Sequence, residues 1–304
     1  MKFLIFSDLH HVPGTFIRGT FEDLASLQQR AEKEQCDFII HAGDFCHGPA
    51  HVMDYVKAYN DFHIPSYHCL GNHDTDNTPL PETLRCYNMP DDHYFFDCGG
   101  YRIIVMSTNY FPEGDGFTAY SGPNYHHISI YERDYVSPEQ IKWLEETIAS
   151  SEYPCIIISH ASFERRVLRV PNADAVLHVI NEANKRRPHS VLMCINGHYH
   201  VDYLRILDGV CYLDMNSSCY HWLPNPHDLY PEEIVSQYPI MNHVISYNEP
   251  LSAVITLEGT TIDIRGTEGT PLLGITREMT GNTPVDYDSR LVNCRVQTAK
   301  ITLG

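Results

Sequence analysis

The sequence predicts an α/β fold in which strands form the middle of a layered sandwich and helices cover its outside. From Lys2 to about Asn196, short runs of β-branched and aromatic residues alternate with amphipathic stretches, as is typical of strands and helices that follow one another. After Gly197 the apolar runs succeed each other without helical stretches between them, which indicates further strands. No repeat, linker or low-complexity tract interrupts the chain. We therefore expect one domain over residues 1–265 and a C-terminal extension, residues 266–304, packed on the same domain or on a neighbouring chain.

Local signals place the individual elements. Gly99-Gly100 separates two apolar runs and predicts a hairpin. Ser137 as N-cap, Pro138 at the first helical position and Gln140 three residues after Ser137 form a capping-box pattern that begins a helix. The expected strands are 3–6, 37–41, 66–70, 94–98, 101–107, 155–159, 191–195, 201–207, 210–214, 253–257 and 261–264, with 295–303 as a candidate closing strand. The expected helices are 21–34, 51–60, one beginning after Ser137, and 173–187.

Composition narrows the choice of partner and compartment. The chain of 304 residues has 21 basic and 39 acidic residues, a formal net charge of -18. Such a surface repels nucleic-acid backbones and anionic membranes, so we expect neither as a partner, whereas a small phosphate ester is compatible with it. The ten cysteines lack CxxC spacing, and neither a signal peptide nor an apolar run of about 18 residues is visible. We therefore expect a cytoplasmic protein. The sequence leaves open whether it forms a homo-oligomer.

Five short blocks place ligand-type side chains directly after predicted strands. They read SDLH, HAGD, GNHD, SH and GHYH. Because loops at the carboxyl ends of strands meet in one crevice of an open α/β sheet, residues distant in sequence should converge there. A lone histidine after a strand is more often a packed residue than a ligand, but all five blocks in this order indicate a metal site. The side chains concerned are Asp8, His10, Asp44, Asn72, His73, Asp74, His160, His198 and His200.

The chemistry of these side chains favours transition metals. Carboxylate and amide oxygens together with imidazole nitrogens suit Mn, Fe, Zn, Co or Ni better than Ca or Mg, which prefer oxygen alone. A carboxylate such as Asp44 can bridge two ions about 3.5–4 Å apart, and a water between them loses a proton near neutral pH. The hydroxide so formed would attack phosphorus in line. We therefore predict a site for two divalent or mixed-valence ions, with Mn, Fe and Zn as the candidates.

The five blocks resemble those of the calcineurin-like metallophosphoesterases, over about residues 1–264. The resemblance implies a four-layer α/β/β/α sandwich of two mixed sheets, with a dinuclear site at one edge of the paired sheets, and it implies that residues 1–265 are the catalytic domain. It also implies that Asn72 and His73 bind the substrate and that His73 is catalytic, donating a proton to the leaving oxygen. The implied metal ligands are Asp8, His10 and His200 for one ion, Asn72, His160 and His198 for the other, and Asp44 as the bridge between them.

One position departs from the family pattern. Many relatives, including the Ser/Thr protein phosphatases, carry Gly-Asp-x-x-Asp followed by Arg, and the second Asp orients the catalytic His. Here His47 stands at that position and Gly48 follows it. The orienting partner of His73 is therefore open, and Asp74 is a candidate by adjacency alone.

The leading hypothesis for the function is a phosphodiesterase acting on small phosphodiesters such as cyclic nucleotides, because the arrangement is closest to that branch of the family. The missing Arg weakens a protein-phosphatase interpretation, since bidentate Arg clamps commonly grip phosphate monoesters. A phosphomonoesterase acting on nucleotide or sugar phosphates is the alternative among enzymes. A non-catalytic protein-binding scaffold is the alternative of another class, although such relatives typically lose ligands that this chain retains.

The tail after Gly266 exceeds ordinary connection lengths. So do two further segments, 108–135 and 218–250, which are rich in aromatic residues. Long loops in compact domains are commonly functional. We expect them to be ordered and to lie at the rim of the pocket.

Overall fold

The computed structural model describes residues 1–165, 168–281 and 293–304. Its strands are β1 (Lys2–Phe6), β2 (Phe38–His41), β3 (Ser66–His68), β4 (Tyr94–Cys98), β5 (Tyr101–Met106), β6 (Tyr110–Glu113), β7 (Gly116–Ala119), β8 (Cys155–Ser159), β9 (Val191–Asn196), β10 (Tyr203–Leu207), β11 (Val210–Asp214), β12 (Tyr220–Trp222), β13 (Val244–Ser246), β14 (Ala253–Glu258), β15 (Thr261–Gly266) and β16 (Ala299–Thr302). Its α-helices are α1 (Phe21–Lys33), α2 (Met53–Asn60), α3 (Leu80–Cys86), α4 (Pro138–Ala149), α5 (Ala173–Arg186) and α6 (Glu232–Gln237). Short 3₁₀ helices cover Pro49–His51, Asn72–Thr75, Gly122–Tyr125, Pro239–His243 and Leu272–Gly274.

Two six-stranded mixed sheets form the body of the fold. The first has the order β16-β15-β14-β1-β2-β3, and the second has the order β10-β11-β9-β8-β5-β4. In the first sheet β1, β2 and β3 are parallel, and β14 joins β1 in the antiparallel direction. In the second sheet β5, β8, β9 and β11 are parallel, and antiparallel strands form both edges. Each parallel block therefore ends its strands along a common edge.

Side chains that alternate along a strand enter different cores. Phe3 of β1 and Ile156 of β8 lie in the core between the two sheets. Leu4, the next residue along β1, packs outward with residues of α1 and α2, and Ile157 of β8 packs outward with residues of α4 and α5. Strands buried on both faces need the continuous apolar runs seen in the sequence. The fold is therefore the predicted α/β/β/α sandwich in four layers.

Most predicted strands and helices are present with slightly shifted ends, but one local signal is wrong. Ser137 Oγ accepts the backbone N–H of Gln140 at 3.2 Å, as an N-cap should. The Gln140 side chain does not complete a capping box, because it binds the N–H and the carbonyl of Ser107 at 2.9 and 3.0 Å. Ser107 follows the last residue of β5, where its backbone groups leave the sheet and still need partners. The buried carboxamide satisfies both of them.

The two long segments contain elements that periodicity did not predict. β6 and β7 pair as an antiparallel hairpin within 108–135, and β12 pairs with β13 within 218–250. Both small sheets lie outside the two large ones. β12 carries Tyr220, whose ring lies 5.4 Å from that of His10.

The C-terminal part of the described chain completes the first sheet. β16 pairs with β15 in the antiparallel direction, from Thr261 opposite Thr302 to Ile264 opposite Ala299. This strand is shorter than the predicted closing strand 295–303, and part of the proposed extension, residues 282–292, lies outside the described residues. The division of the chain at residue 265 stays a prediction. Within the described ranges, none of the helices combines the length and the apolar character that crossing a membrane requires.

Candidate metal centre

Five loops at the carboxyl ends of parallel strands bring the predicted ligands to one edge of the paired sheets. Three loops belong to the first sheet and two belong to the second. The loops after β1, β2, β3, β8 and β9 carry, in that order, Asp8 and His10, Asp44, Asn72 and His73, His160, and His198 and His200. All the candidate metal ligands except the half-buried His198 are buried.

Asp8, His10 and His200 form the first group of ligand atoms. His200 Nε2 lies 3.2 Å from His10 Nε2 and 3.3 Å from Asp8 Oδ1, and His10 Nε2 lies 3.7 Å from the same Asp8 oxygen. His200 Nδ1 donates to the carbonyl of Tyr220 at 3.0 Å. A backbone partner of this kind fixes the tautomer and turns Nε2 toward the convergence point.

Asp44, His160 and His198 form the second group. His160 Nε2 lies 3.1 Å from Asp44 Oδ2 and 3.1 Å from His198 Nδ1, while His160 Nδ1 donates to the carbonyl of Ala42 at 2.8 Å. Asp44 Oδ2 also lies 3.7 Å from His10 Nε2 of the first group. One carboxylate oxygen therefore faces both groups, as a bridging ligand must.

Close backbone approach explains two glycines of the motif blocks. A methyl group on Gly71 would lie 2.2 Å from Asp44 Oδ1, and one on Gly197 would lie 2.6 Å from Asp8 Oδ2. A larger residue at either position would displace the carboxylate that it touches.

The ligand loops also adopt left-handed backbone conformations, which non-glycine residues seldom do. Such conformations cost free energy and cluster at functional sites, where the surrounding structure enforces them. The residues concerned are Asp8, His10, Asp44, His198 and His200, with φ between 50° and 73°.

Charge interactions in the site favour ionised carboxylates. Burial opposes the ionisation of Asp8 and Asp44, yet the nearby histidines, His200 for Asp8 and His160 for Asp44, hold the pKa of each carboxyl below its ordinary range. For His160 burial works against protonation, but Asp44 raises its pKa to about 10. Burial lowers the pKa of His10 to about 4. In the metal-free protein a proton on His160 thus supplies positive charge that the carboxylates need.

The donor atoms fit two metal ions. Asn72 Oδ1 is buried and has no hydrogen-bond partner among the described residues, so an acceptor atom is left for a cation. In each group two imidazole nitrogens face each other beside a carboxylate oxygen. Neighbouring nitrogens and oxygens of this kind bind transition metals.

His73 lies beside the first group, with its ring centroid 5.2 Å from that of His10. Its backbone N–H donates to Asp44 Oδ1 at 2.8 Å, and its Nδ1 is 2.6 Å from Asp76 Oδ2. Burial lowers its pKa, but Asp44 and the hydrogen bond with Asp76 raise it above the ordinary value. The suggestion that Asp74 orients His73 is therefore wrong, because Asp76 holds that position.

Asp74 instead ties the ligand loops together. Its Oδ2 accepts the backbone N–H groups of Gly71 at 2.8 Å and Asp44 at 3.0 Å. Its Oδ1 accepts those of Phe45 at 3.0 Å and Cys46 at 3.2 Å. The side chain faces away from His73 because these backbone donors, which belong to the turns after β2 and β3, surround it.

The long segments reach the site, and they supply residues that sequence reasoning missed. Tyr125 OH donates to Asp76 Oδ1 at 2.5 Å. Asp134 Oδ2 lies 3.6 Å from His198 Nε2, so that a buried carboxylate lies behind this candidate ligand. The Tyr220 ring packs 5.4 Å from the His10 ring, and the neighbouring Trp222 is 41% exposed.

Comparison with known proteins identifies the chain. Residues 1–202 match the sequence profile of the family described as "Calcineurin-like phosphoesterase". The chain belongs to the calcineurin-like phosphoesterase family. This family is metal-dependent and dinuclear, and the chain carries two groups of candidate ligands for such a site.

One curated protein and two solved structures are similar to the chain. The chain is 31% identical over 90 residues to the Serine/threonine-protein phosphatase CPPED1 of Danio rerio. That match covers 26% of this chain and only 29% of the length of the relative. The crystal structure of a dimetal phosphatase from Danio rerio has a TM-score of 0.64 at 15% identity and covers 100% of this chain and 99% of that chain. GAP50, described as the anchor in the inner membrane complex of Plasmodium, has a TM-score of 0.55 at 13% identity, covering 100% of this chain and 89% of that chain. Both structures share the fold.

Proposed function

We propose that this calcineurin-like enzyme hydrolyses small phosphodiesters, such as cyclic nucleotides, with two transition-metal ions. The observation that carries the proposal is the convergence of two ligand groups on the shared carboxylate of Asp44, with His73 beside them. Mn, Fe and Zn all suit the ligand types. Asp8, His10 and His200 would hold one ion, His160 and His198 together with the unpartnered oxygen of Asn72 would hold the other, and Asp44 would contact both.

Residues around the ions would bind the phosphate and donate a proton. Bound transition-metal ions supply Lewis-acid charge for phosphate oxygens and lower the pKa of water to about 7. Asn72 and His73 would contact the phosphate from the loop after β3. Because His73 Nδ1 is engaged with Asp76, Nε2 is the ring nitrogen that would donate a proton to the leaving oxygen.

The charge of the substrate decides between diester and monoester. A phosphate monoester carries a second negative charge, which relatives meet with an Arg after the Gly-Asp-x-x-Asp block. This chain has His47 and Gly48 there and adds the carboxylate of Asp76 nearby. A monoanionic diester suits this less positive surface better. The phosphomonoesterase stays the second candidate, because the curated relative is named a phosphatase.

Two chromogenic substrates test the proposal. Protein loaded with Mn should show a higher kcat/KM on bis(p-nitrophenyl) phosphate than on p-nitrophenyl phosphate, measured by release of p-nitrophenolate. A preference for the monoester would make the enzyme a phosphomonoesterase. No turnover of either ester by protein that holds two Mn ions per chain would contradict a hydrolase of small esters.

A substitution of His73 tests the role of this residue. His73→Ala should slow turnover of a diester with a strongly basic leaving group, such as methyl phenyl phosphate, about 100-fold or more while the metal content stays at two ions, as expected for loss of a general acid. The exposed His127 offers a matched control, and His127→Ala should behave like the unaltered protein. Loss of both ions in His73→Ala would contradict the role assigned to this residue.

We further infer that the enzyme works in the cytoplasm on a small substrate rather than on a nucleic-acid polymer or at a membrane. The net charge of -18 supports this, because a strongly acidic surface repels polyanions. A homo-oligomer is compatible with the proposal, and the mass in solution, measured by light scattering, would establish it.

A further inference from the structure

Asp76 lies outside the motif blocks, yet its carboxylate has polar contacts with four side chains. Its Oδ1 accepts from Tyr125 OH at 2.5 Å and lies 2.8 Å from His126 Nε2. Its Oδ2 lies 2.6 Å from His73 Nδ1 and 3.3 Å from His47 Nδ1. The side chain is nearly buried, at 6% exposure of the residue. One oxygen is thus held by the 108–135 segment, and the other faces the histidines.

We propose that Asp76 is the positioning residue of His73, replacing the carboxylate that is missing at position 47. This inference rests on the proposed function, in which His73 donates a proton to the leaving oxygen. Asp76 would act through His73 alone: its contact with Nδ1 keeps a proton on that nitrogen, fixes the ring orientation and presents Nε2 to the substrate.

The local backbone explains how a residue three positions after His73 can do this. Asn72–Thr75 is a 3₁₀ helix, and Asp76 is its C-cap. With three residues per turn, a 3₁₀ helix places side chains i and i+3 on the same side, one above the other. His73 and Asp76 stand in this relation. In an α-helix residues i and i+3 are also neighbours but are offset around the axis, so the short 3₁₀ turn aligns the pair more directly.

His47 fills the position of the missing carboxylate without replacing it chemically. Its ring stacks on His73, with centroids 4.2 Å apart and planes at 14°. Its Nε2 lies 2.9 Å from His10 Nδ1, and its Nδ1 faces the same Asp76 oxygen that His73 contacts. A stacked imidazole limits the rotation of the His73 ring but offers no negative charge to it. In this chain the carboxylate that contacts His73 is therefore at position 76 and not at position 47.

A purely structural role for Asp76, in which it only anchors Tyr125 and His126 (a clasp), predicts different effects of its substitution from a positioning role. A clasp would affect folding, metal content and all substrates alike. A positioning residue of a general acid should matter most where the leaving group is a strong base, because a good leaving group departs with little help from a proton. The dependence of the rate on the leaving group therefore separates the two roles.

The experiment compares two diesters, methyl p-nitrophenyl phosphate and methyl phenyl phosphate, on Mn-loaded protein. Asp76→Asn should lower kcat on the phenyl ester about 100-fold, with KM and Mn content nearly unchanged, and should lower kcat on the p-nitrophenyl ester less than about tenfold. The double variant His47→Asp/Asp76→Asn, which restores a carboxylate at position 47, should regain at least about tenfold on the phenyl ester. Equal losses on both esters, or no gain in the double variant, would overturn the proposal.

A matched control comes from a second buried carboxylate of the same type. Asp92 lies 2.6 Å from His93 Nδ1 and accepts Tyr110 OH at 2.6 Å, but it belongs to neither ligand group. Asp92→Asn should leave the ratio of the two rates unchanged. A shift of that ratio equal to the shift in Asp76→Asn would count against a specific role for Asp76.

A spectroscopic readout keeps this inference separate from the proposed function. In the diamagnetic Zn-loaded protein, the Nδ1 proton of His73 should give a strongly downfield NMR resonance that disappears in both Asp76→Asn and His73→Ala. Absence of that resonance in the unaltered protein would refute the hydrogen bond. Its presence in a protein that hydrolyses neither diester would preserve the hydrogen bond and refute the proposed function.

Discussion

Asp74→Asn should destabilise the protein by several kcal/mol, although Asp74 contacts neither the substrate nor a metal in the proposed mechanism. The carboxylate is fully buried and accepts four backbone N–H groups and the hydroxyl of Tyr87, the last at 2.6 Å. An amide keeps one acceptor oxygen. Its NH₂ group would face the donors that the other oxygen now binds.

The magnitude follows from the number of donors that lose their acceptor. Each oxygen of Asp74 accepts at least two backbone N–H groups, and a buried donor without a partner costs about 1–3 kcal/mol. The variant should therefore lose about 2–6 kcal/mol, a large share of the 5–15 kcal/mol typical of a domain. Tyr87→Phe removes a single donor and should cost about 1 kcal/mol.

The measurement is urea denaturation followed by the fluorescence of Trp143 and Trp222, in buffer with Mn. The metal matters because burial and then the charge of Asp44 raise the pKa of Asp74 to about 7. A cation on Asp44 removes the second cause and favours the carboxylate form. The reasoning would be refuted if Asp74→Asn lost less than about 1 kcal/mol, or lost less than Tyr87→Phe.

Three further predictions concern the metal centre. Asp44→Asn should abolish metal-dependent turnover and lower the Mn content below two ions per chain, with an unchanged circular dichroism spectrum; two retained ions would contradict the bridging role. Gly71→Ala should weaken Mn binding in titration calorimetry, because its methyl group would lie 2.2 Å from Asp44 Oδ1, whereas the methyl group of Gly116→Ala meets only a carbonyl oxygen at 3.9 Å and should leave binding unchanged. In metal-free protein Asp44 raises the pKa of His160 from 6.5 to about 10, so this stabilisation is fully present below pH 6.5 and is lost as the pH rises through 10. The melting temperature of EDTA-treated protein should fall over that range and that of Mn-loaded protein should not, since the metal replaces the proton; parallel curves would refute the coupling.

A layered sandwich with helices outside and the convergence of the ligand loops could be predicted from patterns in consecutive residues, whereas the four layers with two mixed sheets were implied by the family resemblance. Buried parallel strands need unbroken apolar runs, and the polar residue after each run marks where its strand ends. Asp8, Asp44 and His160 were found in this way. Their convergence from two different sheets required only that both sheets end at the same edge.

The supporting carboxylates could not be found by the same reasoning. Asp134 lies in a long segment without periodicity, and only the folded chain places it beside His198. Asp76 was detectable in principle from the His-x-x-Asp spacing, but only once residues 72–75 are known to form a helical turn. The β6–β7 hairpin was missed because Pro112 argues against a strand, although an edge strand tolerates it.

Strand β1 lies between β2 and β14, and this order constrains how the chain can fold during translation. The ribosome releases β14, the antiparallel neighbour of β1, about 250 residues after β1. Until then one edge of β1 is open, and open strand edges invite pairing with other chains. A nascent chain cut near residue 202, the limit of the family match, would hold every candidate ligand and still lack half of its first sheet. Such a fragment should aggregate. Pairing with β14, which emerges late, therefore protects the open edge of β1 from pairing with other chains.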